Sequence, residues 1–201
     1  MNSITPLPND FIKKHCKPNF DKTPEYGIRT MPVSYMTTDF LKDEINNLKI
    51  AEKANVSSGE SGIRKVMLWR IPVHSKVGDL FTKWTLELNN SFNYNLSSIQ
   101  DIQYLEYKVG DYYDWHCDIG DGLASMRKIS MSLVLNENEY DGGELEFFHG
   151  GQTHVIANRV SDEISGSQVV AFTSFYNHRV RIVTKGIRKS IVVWVNGESW
   201  R

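Results

Sequence analysis

At 201 residues the chain fits one domain and is long enough to bury most of the surface it exposes when unfolded. Its 23 basic and 24 acidic residues leave a formal charge of −1, so no global field draws it to nucleic acid or to an anionic membrane, and any partner must be selected locally. Two cysteines, Cys16 and Cys117, sit in different parts of the chain and do not make a disulfide framework.

The start, MNSITPLPNDFIKKHCKPNF, lacks the basic opening and apolar run of a secretory signal, and no stretch is long and apolar enough to span a bilayer. The expected setting is soluble, reducing and cytoplasmic. Five of the six prolines (Pro6, Pro8, Pro18, Pro24, Pro32) fall early, where each fixes φ and withdraws a backbone donor, so residues 1–36 read as an irregular arm. Residues 37–98 read as flanking helices and a strand. Phe40, Leu41, Ile45 and Leu48 at helical spacing predict a capped helix over 37–54. VSSGESG, 56–62, reads as a polar loop, 63–71 as a strand ended by Pro72, and 76–92 as a second helix with Leu80, Phe81, Trp84, Leu86 and Leu88.

From residue 99 to 198 the pattern changes to short β-branched and aromatic runs divided by Gly, Asp and Asn: IQYLEYKV, YYDWHCDI, KISMSLVL, GELEFF, THVI, QVVAFTSF, HRVRIV and KSIVVWV. Eight such strands, with no proline beyond Pro72, predict a closed or double-sheet antiparallel core of the jelly-roll, cupin-like kind. The fold class is therefore mainly β with flanking helices (α+β), in a single domain over 1–201.

The chemistry concentrates in YLEYKVGDYYDWHCDIG. On a strand, residues two apart share a face, so His116 and Asp118 can grip one ion. His178, at the end of a later apolar strand, is the candidate third ligand. Two histidines and a carboxylate with the remaining positions open suit a non-haem Fe(II) oxygenase. The open positions would take dioxygen and a bidentate cosubstrate such as 2-oxoglutarate, whose distal carboxylate needs a fixed cation. Arg188 offers a planar fork for that carboxylate, with Ser190 and Trp194 on the same strand face. A turn at Thr184-Lys185-Gly186 would fold the strands of His178 and Arg188 into a hairpin. Tyr107 could add a phenolic hydrogen bond.

Taken together, Tyr107-x-x-Gly110-x-x-Tyr113-x-x-His116-x-Asp118, then Arg127-KISMSLVLN, Asp141-Gly-Gly-Glu144, and His178 with Arg188 and Trp194 resemble the Fe(II)/2-oxoglutarate dioxygenases of the prolyl 4-hydroxylase type. The resemblance covers about half the chain. It implies a double-stranded β-helix, iron held by His116, Asp118 and His178, and 2-oxoglutarate held by Arg188 and Tyr107. It further implies that Tyr113, Arg127 and Trp194 line the active site or substrate groove, and it makes ascorbate a candidate further cofactor. Arg188 and Leu145 stand where collagen-type enzymes carry lysine and threonine, and look more like the bacterial and viral branch. Strict alternation would turn Tyr113 away from His116, so the resemblance requires a twist or bulge near Tyr112.

Other conspicuous residues have plainer readings. His149 and His154, in HGGQTH, read as surface rather than as a second metal site, and His15 and His74 as solvated. Arg179, Arg181, Lys185 and Lys189 read as a solvated edge. Cys117 should face away from the metal as a small core residue. Arg127 could bond either a substrate carbonyl or a local carboxylate. The expected activity is hydroxylation of an aminoacyl residue, proline in a peptide or protein first, with release of succinate and carbon dioxide. Hydroxylation of a free amino acid or other small molecule is the alternative, and a non-catalytic cupin-like metal protein is the rival from another class. The sequence leaves the oligomeric state open.

Overall fold

A computed structural model describes residues 27–51, 55–58, 62–156 and 165–200. In chain order the elements are β1 (Ile28–Ser34), α1 (Tyr35–Ala51), β2 (Asn55–Ser58), β3 (Arg64–Arg70), α2 (Lys76–Phe92), β4 (Leu96–Tyr107) and β5 (Tyr112–His116). A 3-10 turn (Gly122–Met126) leads into β6 (Arg127–Val134), β7 (Tyr140–Gly142), β8 (Leu145–His149), β9 (Gln152–Ile156), β10 (Ser165–Thr173), β11 (Asn177–Val180), β12 (Val183–Gly186) and β13 (Arg188–Gly197).

The strands form one curled antiparallel sheet in the order β1-β10-β6-β13-β4-β3-β5-β11-β8-β9, with β2 also paired to β3, while β12 and β7 make a separate pair. Period-two alternation sorts the side chains onto two faces. Ile102, Tyr104, Met131, Leu133, Ile191 and Val193 turn outward and pack with Leu41, Ile45, Phe81 and Trp84 of the helices. Leu68, Leu105, Tyr107, Val170 and Phe172 turn inward and form a second core inside the curl. The helices follow their sequence signals. Ser75 caps α2 by accepting from the Gly78 N–H at 3.2 Å, and Val77, Phe81, Trp84 and Leu88 fill its buried face.

Several readings need correction. Residues 28–34 are not irregular, because Pro32 lies on an edge strand, where its missing N–H interrupts no ladder on the open side. Pro6, Pro8, Pro18, Pro24, Cys16 and His15 lie outside the described residues. Part of the expected polar loop is β2, whose backbone pairs Asn55 with Leu68 and Ser58 with Lys65. Phe40 and Leu86, counted toward the helical stripes, are exposed. The turn at 184–186 does not return the chain alongside β11. Those residues belong to β12, which pairs with β7, and β13 goes instead between β4 and β6. His178 and Arg188 therefore reach the interior from separate parts of the curl. Among the described residues no helix is long and apolar enough to cross a membrane.

Candidate active site

Register brings the presumed ligands together. His116 closes β5 directly opposite His178 of β11. Asp118 follows just beyond the strand, its N–H held by the Ser174 carbonyl at 2.9 Å and its carbonyl receiving Arg127 Nη1 at 3.0 Å. Nε2 of each histidine stands 3.6 Å from a different carboxylate oxygen of Asp118. The three ligand atoms lie within 4.8 Å of one another, the one such group among the described residues. His149 and His154 form no second site there.

Each imidazole is oriented by its own backbone. Nδ1 of His116 faces the Asp114 carbonyl at 2.7 Å, and Nδ1 of His178 faces the Tyr176 carbonyl at 2.9 Å. A carbonyl can only accept, so Nδ1 carries a proton on each ring and Nε2 is the atom turned inward. Burial pushes His178 down to about 4, against the opposing pull of Asp118, which keeps the ring neutral at neutral pH. Burial alone would raise the Asp118 carboxyl, but His178, His116 and a hydrogen bond from Ser130 hold it well below the usual carboxylate range. Two Nε2 atoms and an anion thus converge on one point, and one carboxylate with two imidazoles fits Fe(II).

A second cluster lies where β13 pairs with β4. Arg188 is 1% exposed, its Nη1 donating to Ser190 Oγ at 2.8 Å, while Nε and Nη2 are buried with no partner. No carboxylate pairs with it among the described residues. An isolated buried guanidinium is costly, so two idle donors imply a site made for a ligand anion. Gly143 makes the room. A Cβ there would come within 2.8 Å of Arg188 Cδ, and its φ of +66° is in any case glycine territory. Tyr107 pairs opposite Arg188 in register and is fully buried, with its ring centroid 5.5 Å from the guanidinium carbon.

Tyr113 does lie beside His116, the rings stacked at 3.4 Å and 11°. The cause is a bulge: His178 pairs with His116 but Val180 pairs with Tyr113, so β5 carries one residue more than β11 between those pairs. The irregularity falls at 114–115, after the tyrosine rather than before it. Trp194 is buried on the same interior face, with Arg127 4.2 Å over its ring and its Nε1 unpartnered. Arg127 also donates from Nε to Gln100 Oε1 at 3.1 Å, so it braces the Asp118 backbone rather than a local carboxylate. Cys117 is exposed, contrary to the core reading, because the chain has left the strand and its thiol turns to the Phe175 carbonyl. Arg179 and Arg181 pair with Glu146 and Glu144, and β11, which carries Arg179, lies between β5 and β8 rather than at the expected edge.

One neighbour escaped the motif reading. Arg64 of β3 pairs with Tyr113 in register and lies 4.8 Å over its ring. The signal was available in parity: Arg64, Val66 and Leu68 alternate inward, which places a cation on the interior face.

A curled jelly-roll sheet that gathers two histidines and an aspartate, with a buried arginine on β13, is the arrangement of the non-haem iron oxygenases. Residues 102–196 match the model of the 2OG-Fe(II) oxygenase superfamily. A PKHD-type hydroxylase of Picosynechococcus sp. is 32% identical over 109 residues, which are 51% of this chain and 44% of that protein. Among solved structures, a Pseudomonas putida prolyl-4-hydroxylase has a TM-score of 0.68 at 21% identity, covering 94% of this chain and 97% of that one. A Trichoplax adhaerens prolyl hydroxylase, solved with a hypoxia inducible factor peptide fragment, has a TM-score of 0.64 at 14% identity, covering 86% and 84%. Residues 102–196 belong to the 2OG-Fe(II) oxygenase superfamily, and the fold around them is that of the prolyl 4-hydroxylases.

Proposed function

We propose that this protein is an Fe(II)- and 2-oxoglutarate-dependent hydroxylase of an aminoacyl residue, with proline in a peptide or protein as the leading substrate. The observation that carries the reading is Arg188, a buried arginine with two unused donors in the interior that also holds the triad. A structural metal site has no need of such a cation.

In this reading His116, Asp118 and His178 hold the iron through Nε2, a carboxylate oxygen and Nε2. Bound iron, with dioxygen and 2-oxoglutarate, supplies the chemistry that places one oxygen in a C–H bond and the other in succinate as carbon dioxide leaves. The chain's own task is placement. Arg188 receives the distal carboxylate through its fork, Ser190 fixes that fork, and Tyr107 donates a phenolic hydrogen bond. Tyr113 covers His116, while Trp194 and Arg127 wall the substrate side and exclude water. A peptide substrate is supported by the architecture shared with prolyl hydroxylases, one of which was solved with a peptide.

The test is succinate formation with iron, 2-oxoglutarate and ascorbate as reductant, over a panel of proline-containing peptides and free amino acids, with mass analysis for one added oxygen. Turnover on peptides is expected, and turnover on free amino acids alone would move the substrate class to small molecules. Asp118→Ala should abolish succinate formation while leaving the circular dichroism spectrum intact. Retained activity in that variant would overturn the ligand assignment.

A further inference from the structure

Arg188 shares the interior with two further guanidiniums, those of Arg64 and Arg127. Arg64 lies 4.8 Å over the Tyr113 ring, and that ring stacks on His116. Arg127 lies 4.2 Å over the Trp194 ring and donates from Nη1 to the Asp118 carbonyl at 3.0 Å. Both cations thus stand close beside the metal ligands. Neither has a carboxylate partner among the described residues, because every carboxylate buried there is committed elsewhere. Asp118 belongs to the triad, Asp111 pairs with Lys65 at 2.9 Å, and Glu146 pairs with Arg179 at 2.7 Å. Asp101, opposite Trp194 in register, gives its Oδ2 to Arg70 and to the Gln103 amide. Donors are left over. Arg64 reaches Gln103 Oε1 from Nη2 at a long 3.4 Å, and its Nε is buried with no partner. Arg127 uses Nε on Gln100 Oε1 at 3.1 Å, while its Nη2 hydrogen-bonds nothing among the described residues.

The charges of the loaded site sharpen the point. The two positive charges of Fe(II) and the one of Arg188 meet one negative charge on Asp118 and two on 2-oxoglutarate, so that half of the interior is balanced. Arg64 and Arg127 remain as an uncompensated positive pair. Aromatic faces attract a guanidinium but carry no net charge. A cation taken out of water without an anion is costly, and apolar side chains against Tyr113 and Trp194 would pack without that cost. The missing anion is therefore expected on the molecule that enters this space.

We infer that the substrate carries a carboxylate beside the reacting carbon, and that Arg64 and Arg127 receive it and so set substrate specificity. The inference rests on the reading of the triad and Arg188 as an iron and 2-oxoglutarate site. The carboxylate can come from an acidic side chain that flanks the target residue in a peptide, or from the α-carboxylate of a free amino acid. A pair of arginines kept only for packing would treat acidic and neutral substrates alike.

Calorimetry on anaerobic protein loaded with Mn(II) and 2-oxoglutarate tests this without turnover. The probes are blocked tripeptides with proline or alanine at the centre and glutamate, alanine or lysine on both sides, together with free proline and prolinamide. Glutamate-flanked peptides should bind on the order of tenfold tighter than alanine-flanked ones, and lysine-flanked ones more weakly still. Arg64→Met should remove most of that preference, and Arg64→Lys, which keeps the charge, should retain it. If flanks have no effect but proline binds more tightly than prolinamide, and Arg64→Met abolishes that difference, the carboxylate is that of a free amino acid. Equal binding across the flanks together with equal binding of proline and prolinamide, or a preference left intact by Arg64→Met, would overturn the inference. The two peptide centres read a separate question: a flank effect without a preference for proline supports the carboxylate and corrects the target residue. Failure of the Mn(II)-loaded protein to take up 2-oxoglutarate would sink the reading of the site itself, and this inference with it. Comparable melting profiles and Mn(II) affinity across the variants separate these outcomes from misfolding.

Discussion

Arg188→Met should make the ligand-free protein more stable and the cosubstrate much weaker. Methionine follows the arginine stem as far as the Cδ position beside Gly143, so the packing there is kept. What disappears is a guanidinium that is 1% exposed, hydrogen-bonded only through Nη1, with Nε and Nη2 unsatisfied. Each orphaned donor costs about 1–3 kcal/mol, and Ser190, which loses its partner, gives some of that back. A net gain of about 1–3 kcal/mol follows, or a rise on the order of 5 °C in Tm for a chain of this size. Binding moves the other way. Loss of a buried charge-assisted pair should weaken 2-oxoglutarate on the order of 10²-fold. Thermal melts with Mn(II), with and without 2-oxoglutarate at 100 times the parent's Kd, read both effects at once. The parent should gain about 2.7 kcal/mol from ligand and the variant well under 1 kcal/mol. A ligand-free variant less stable than the parent, or one stabilised equally by 2-oxoglutarate, would refute the view of Arg188 as a cation kept for a ligand.

Gly143→Ala should act on the same pocket from behind. Its Cβ would press on Arg188 Cδ, and its φ of +66° adds about 1–2 kcal/mol of backbone strain, so 2-oxoglutarate affinity should fall at least about tenfold with Mn(II) affinity unchanged, as read by calorimetry. Tyr113→Phe keeps the ring over His116 and should leave metal affinity within about twofold, whereas Tyr113→Ala uncovers the imidazole and should lower it about tenfold in a competitive chelator titration. The metal-free protein should lose stability in mild acid. Burial lowers His178 to about 4, below its value of about 6.5 in an unfolded chain. Its contribution is whole above the unfolded value and disappears as pH falls toward 4, so urea midpoints taken across that window should decline, and decline less in His178→Ala.

The His116, Asp118 and His178 cluster was partly legible because His116 and Asp118 stand two apart where β5 ends, although Asp118 lies just past the strand and is set by the Ser174 carbonyl rather than by strand alternation. What stayed hidden depended on neighbours that one strand cannot reveal. Tyr113 faces inward only because β5 bulges against β11, and the place of that bulge is a property of the pair. Arg64 becomes part of the site because β3 lies between β4 and β5, a consequence of sheet order rather than of local pattern. The hairpin expected at 184–186 failed because those residues found a partner in β7, more than forty positions earlier. Proline in β1 misled by its count, since an edge strand tolerates what an inner strand would not.

The direct pairing of His116 with His178 has a consequence for how the protein is made. The two imidazoles are cross-strand partners, and His178 is 60 residues beyond Asp118. A nascent chain that has released β5 carries a histidine and an aspartate but no third ligand, and it retains metal only weakly. On the proposed ligand assignment, tight capture waits until β11 has left the ribosome and paired with β5, one of the long-range pairings that form slowly. Iron bound there would then tie β5 to β11 and add its binding free energy to that pairing.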